Sequence, residues 1–430
     1  MRYALIATLI AAGCTPISQP PTASQSADAP PPASSAGPTR TATPTSPPPP
    51  TSSPIAAYPI GGRTFAASDT VVAWVADSFA PDVQHRATVS MHVTIDGGRS
   101  WIVVSPPPGA LYITEIKPLG ATQLWIIGWV PTTPDSTCAG VPPPPCSGTI
   151  FRSVDAGRSW SSGAAEPEVR HALASGLSHL TAVDSLHAWA TTSHGCQDLN
   201  CATDVVATTD GRVWSTLGTL PDLVHSIDFV DALHGWATTL HRASIDARPD
   251  AVARLYATDD GGRTWTPLFH ATGVSPQLDV DFVDAERGWM LGDDQSTGCT
   301  MGGCADYTFY QTTDGGRTWV VEQSPESQPL WSRISGQVAG AGFLGALQFS
   351  TASEGWIGVG PGAGPSTGGV LHTTDGGRTW SKFVDDFAWT DTQVYGVRGG
   401  AWARVTLRNA SSESIFWTSD GITWRQVTPP

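Results

Sequence analysis

A turn-forming segment that recurs seven times, interleaved with a second series of tryptophans, predicts an all-β fold: a seven-bladed β-propeller of four-stranded antiparallel blades. The segment is clearest as Thr94-Ile95-Asp96-Gly97-Gly98-Arg99-Ser100-Trp101 and returns at 153–160, 258–265, 312–319 and 373–380. Shortened copies, each missing one residue, stand at 208–214 and 418–424. The aspartates, Asp96, Asp155, Asp210, Asp260, Asp314, Asp375 and Asp420, recur every 45 to 61 residues, which is the period of a propeller blade. Within each box, Asp and Ser/Thr side chains can bond back to turn N–H groups, and Gly supplies the positive φ that a tight turn needs. The closing residue, Trp101, Trp160, Trp214, Trp265, Trp319, Trp380 or Trp424, is expected to begin strand D and pin the hairpin to its sheet.

The second series is Trp74, Trp129, Trp189, Trp236, Trp289, Trp356 and Trp402, several of them in a Gly-Trp-apolar setting, and marks strand B. Together the two series take up fourteen of the eighteen tryptophans. The aromatic excess therefore describes construction and needs no ligand to explain it. Blade 1 is expected to start near Arg63 and blade 7 to finish near Val427, with no strand left over for a mixed closing blade. Box turns and A–B turns share one face; B–C loops and D–A crossings share the other. Charged residues make up only 14%, and the net charge of −15 includes just two lysines, Lys117 and Lys382. Such a chain is not a helical bundle and lacks the basic face of a nucleic-acid binder.

The Ser/Thr-x-Asp-x-Gly-x-Thr-Trp pattern resembles the Asp box, or BNR repeat, of sialidases, sortilins, xyloglucanases and the photosystem II assembly and stability factor family. The pairing of a Gly-Trp strand with a Thr-Thr-Asp-Gly-Gly-Arg-Thr-Trp box is most similar to the last group. That resemblance covers residues 58–430 and implies a non-catalytic protein-binding or assembly scaffold for a membrane complex. The alternative is a surface glycan-binding or sialidase-like glycoside-hydrolase propeller. A sialidase likeness would imply an arginine triad, but six arginines sit in boxes, and the first blade reads Tyr58-Pro59-Ile60-Gly61-Gly62-Arg63 instead of a Phe/Tyr-Arg-Ile-Pro start. No catalytic residue, metal ligand set or cofactor motif is assigned.

Residues 1–13 have the form of a signal: Met1-Arg2, an apolar stretch to Ala12, then small residues before Cys14. This resembles a bacterial lipobox, which implies lipidation of Cys14 and an extracytoplasmic, membrane-anchored chain. From Thr15 to Ala57 there are 13 prolines among 43 residues. A stretch with so little to bury cannot offset the entropy of ordering, so 14–57 is read as a lipidated, disordered linker. The propeller itself is expected to be a monomer.

The other six cysteines form the close couples Cys138/Cys146, Cys196/Cys201 and Cys299/Cys304, all in B–C loops. In an exported chain they are read as local disulfides, the favoured one of fifteen connectivities. These stiffened loops make the face opposite the boxes the candidate binding face, with Trp331, Tyr307 and Tyr310 as candidate aromatic contacts to a protein or glycan.

Overall fold

The computed structural model describes residues 60–80, 86–134, 138, 146–165, 177–197, 200–241, 251–273, 277–294, 306–321, 341–361, 369–383, 389–407 and 413–430. They form seven sheets, one per blade, over 60–104, 112–162, 177–220, 223–273, 277–321, 341–383 and 389–427. In each blade four strands, A to D, pair antiparallel in chain order. The A strands contact the A strands of neighbouring blades and so line a central channel. Blade 3 adds a fifth strand: Ala164–Ala165 runs parallel to Val213–Trp214. Gly163 permits that close approach, since a Cβ there would lie 2.4 Å from the Trp214 ring.

Box turns and A–B turns meet at one end of the channel. The amides of Gly97, Gly211 and Gly315 donate to the A–B turn carbonyls of Val71, Leu186 and Glu286 at 3.0, 3.0 and 2.8 Å. This is the box end; B–C loops and D–A crossings crown the opposite, loop end. Strand D begins one residue after the box tryptophan in most blades, as in Ile102–Val104 and Arg425–Val427, and at Val213 in the shortened third box. In the expected scheme it began at the tryptophan itself. The alternation of a strand leaves the box Trp to cap the turn and the next residue to open the ladder.

Strand B carries the joints between blades. Trp74, Trp189, Trp236, Trp289, Trp356 and Trp402 are buried. In blade 2 the expected Trp129 gives way to Trp125, which pairs with Lys117 and Arg152 as Trp189 pairs with Thr181 and Ala207. Gly128-Trp129 imitates the sequence cue, but Trp129 sits half-buried near the loop end of its strand, opposite Tyr112. Most of these indoles donate N–H to a box-end carbonyl of the next blade: Trp74 to Gly120, Trp125 to Asp184, Trp189 to Gly261, Trp236 to Gly315 and Trp289 to Gly376, at 2.8–3.1 Å. Three of them stack flat on a phenylalanine at the end of the next A strand, Trp189 on Phe229, Trp236 on Phe282 and Trp289 on Phe349, with centroids 3.8, 3.6 and 3.7 Å apart. Each buried ring contributes roughly 4–6 kcal/mol of gross apolar burial.

The ring closes without exchanging a strand. Blade 1 is made wholly from the first strands and blade 7 wholly from the last, as the sequence predicts. Side chains supply the seam instead. Phe65, Ala73 and Val75 pack with Val397, Trp402, Ile415 and Val427. Trp402 donates to Asp69 O at 3.0 Å, Arg404 to Arg63 O at 2.7 Å, and Trp417 and Arg425 reach Thr70 O and Gly97 O.

Candidate functional site: the loop end of the channel

The boxes are self-contained. In the first, Asp96 Oδ1 accepts from Thr94 Oγ1 and from the amides of Arg99 and Ser100, each at 2.9 Å, and Oδ2 accepts from Ser100 Oγ at 2.6 Å. Asp155, Asp260, Asp314 and Asp375 repeat this arrangement, and Asp210 and Asp420 a shortened form of it. The hydroxyl and amide of Ser159 hold Asp155, and those of Thr318 hold Asp314, at a pKa of about 2. Carboxylates so engaged with their own turn have little left for a ligand.

Of the loop cysteines, Cys138 and Cys146 form a disulfide, and Cys201 is disulfide-bonded. The side chain of Cys196, and Cys299 and Cys304 altogether, lie outside the described residues, as do residues 1–59 with Cys14. Trp331 and the Tyr307 side chain also lie outside them. Tyr310 is half-buried within blade 5, its ring 5.7 Å from Phe269 of blade 4. It packs a joint between blades.

A cavity of about 670 Å³ lies in the loop-end half of the channel, where blades 7, 1 and 2 meet. The A strands bring Arg63, Thr64 and Phe65 (in Ile60–Ala67), Tyr112 to Ile116 (in Tyr112–Pro118) and Gln393 and Tyr395 (in Trp389–Val397) to its wall; Ser78 and Arg404 come from strand B. Asp77 grips Arg63 in a two-pronged ion pair, at 2.7 Å to Nε and 2.9 Å to Nη2. Thr64 Oγ1 donates to Ile113 O at 2.7 Å, and Ile113 N to Ser78 Oγ at 3.1 Å, which ties blade 1 to blade 2. Phe65 meets Tyr395 edge to face at 5.1 Å. Glu115, the one carboxylate among the described lining residues, accepts from His179 N at 2.8 Å and Leu180 N at 2.6 Å. Burial raises its pKa. The wall thus combines rings with guanidinium and amide donors, while its acidic group is already taken up by blade 3. Its volume suits a small molecule or a short stretch of chain.

Sequence reasoning did not find this cavity. Arg63 and Arg404 are separated by most of the chain and share no motif; only ring closure joins them. The repeated Asp-Phe-Val-Asp at 228–231 and 281–284 is a usable signal for the channel, because its phenylalanines stack on the B tryptophans and its first aspartates bond to the A strands of neighbouring blades.

Seven such blades around a channel define the class: a β-propeller with a cavity of mixed polar and apolar lining in its bore. The β-propeller domain of the trilobed protease from Pyrococcus furiosus, described as having an open velcro topology, is 11% identical and superposes with a TM-score of 0.52, covering 85% of this chain and 98% of that one. A prolyl endopeptidase structure is 10% identical at a TM-score of 0.54, over 85% of this chain and 49% of that chain. The GH74 xyloglucanase of Xanthomonas campestris is 12% identical at 0.45, and the present chain spans 54% of its length. No protein-family model and no curated protein matches the sequence. The first two likenesses agree with the fold.

Proposed function

We propose that the chain is a non-catalytic binding propeller, held outside a bacterial membrane by a lipidated Cys14 and the proline-rich linker, which engages its partner at the loop end of the channel. One observation carries the reading: the cavity offers donors and rings, but its single described carboxylate, Glu115, has both oxygens engaged by backbone amides. Hydrolysis of a glycoside by the usual route needs two carboxyl groups flanking the bond. A binding role needs only complementary shape and a few placed polar groups. The Asp-box likeness to photosystem II assembly factors supports a protein partner within a membrane complex. Arginines beside Tyr112 and Tyr395 favour a second reading, a surface glycan. The test is a pull-down of the lipidated chain from its native membrane alongside a glycan array, repeated with Gln393→Ala and Thr114→Ala. Loss of one defined partner in both variants, with no turnover of a broad aryl-glycoside panel, is the expected result. Turnover of any glycoside, or full retention of the partner by both variants, would overturn the reading.

A further inference from the structure

Strand A is an edge strand, and its channel-facing N–H groups have no neighbouring strand to pair with. Side chains from the preceding blade meet some of these groups. Glu115 of blade 2 takes the amides of His179 and Leu180, and Gln348 of blade 6 takes Gly396 N at 2.8 Å. Between blades 5 and 6 the lacing is done by two carboxyl groups of one strand: Asp279 accepts from Leu347 N and Asp281 from Phe349 N. The charges around this joint do not balance. Blade 4 contributes Asp228, which is held by Thr181 Oγ1 of blade 3 at 2.8 Å and by Lys117 of blade 2 at 3.5 Å. Among the described residues blade 6 contributes amides, its Gln348 being turned to blade 7. Among those residues three carboxyl groups therefore share one ammonium, and that ammonium is paired with Asp228.

We propose that the joint between blades 5 and 6 is a proton-operated latch, in which protonated Asp279 and Asp281 hold the two inner strands together and loss of their protons loosens the joint. An ionised carboxylate does accept a stronger hydrogen bond from each amide, but one N–H does not replace the hydration of a full charge. A box aspartate, which stays ionised, collects four donors. Asp279 and Asp281 keep some accessible surface, but it faces the bore, where protein surrounds them and confined water solvates a charge less well than bulk. Burial pushes Asp279 up to about 7 and raises Asp281 well above the usual carboxylate value; for Asp281 the Phe349 amide opposes the shift, the charges of Asp228 and Asp279 add to it, and Lys117 opposes it. For an acid whose pKa is raised by folding, the stabilisation is complete below the unfolded value and is lost as pH rises through the folded one.

The test is thermal unfolding of the full chain from pH 5 to pH 9, for the wild type, Asp279→Asn, Asp281→Asn and the double variant. Asparagine keeps an oxygen for the amide and cannot ionise. The wild type is expected to lose several degrees of Tm as pH rises through 7, and the double variant to lose markedly less and to be the more stable at pH 9. A wild-type Tm that is flat or rising over this range, or an unchanged slope in the double variant, would overturn the latch. Should the variants not fold, infrared spectroscopy of Glu115→Gln, which removes the other carboxyl that burial raises, decides: protonated-carboxyl absorbance at pH 6 that disappears by pH 9 supports the latch, and none at pH 6 refutes it.

Discussion

At the box end of the channel every blade repeats one solution: an aspartate saturated by its own turn, a glycine at positive φ, and an indole arriving from the blade before. At the loop end and along the bore no two blades are alike. Glu115, Asp228, Asp279, Asp281 and Gln348 each meet a different partner, and the cavity is built by blades 7, 1 and 2 alone. The aspartates show what separates the two regions. At the box end the carboxylates are exposed and lie below the usual carboxylate value, because three or four donors converge on each; Asp279 and Asp281 are enclosed and receive one amide each, so burial favours their neutral form. Burial and the number of donors together set the charge. Repetition therefore marks construction, and departure from it marks where function can reside.

The largest effect expected from this contrast lies in the joints that feed the box end. Trp125→Ala, which empties a fully buried site, should cost about 3–5 kcal/mol, read as the midpoint of urea unfolding. Trp129→Ala should cost well under half as much; equal losses would return the joint to Trp129. Next comes the opposed pH response of the two aspartate classes. At pH 8, Asp279→Asn should raise Tm, while Asp314→Asn, which loses acceptor capacity in a box, should lower it. The signs follow from the shifts. The box aspartates lie below the usual carboxylate value, so their contribution is present above about pH 4 and fades as pH falls toward 2. That of Asp279 fades as pH rises through about 7. Two variants moving Tm in the same direction would erase the distinction. The smallest effect is local: Asp155→Ala frees the Ser159 amide, whose hydrogen exchange should quicken about tenfold with little change in global Tm.

How much of this was legible follows from the same contrast. The seven boxes and six of the seven B tryptophans could be read because each is local and repeated, with turn chemistry confined to eight residues. The seventh was misplaced because Gly128-Trp129 carries the cue while Leu124-Trp125 carries the register. For Tyr310, a tyrosine near a long loop reads the same in sequence whether it meets a ligand or packs on Phe269. The channel was half visible in Asp-Phe-Val-Asp, but nothing in a linear sequence says that two such aspartates face a bore with one lysine. The cavity was not visible at all, since Arg63 and Gln393 become neighbours only when the last blade docks against the first.

The central claim, that the loop end binds and the box end builds, is tested most directly by site-specific photocrosslinking in the native membrane. A photoreactive residue is placed at Gln393 or Thr114 on the cavity wall, and at Ile95 or Thr313 in the boxes. The account predicts one discrete adduct from the cavity positions and none from the box positions. Adducts confined to the boxes, with the cavity silent, would contradict it.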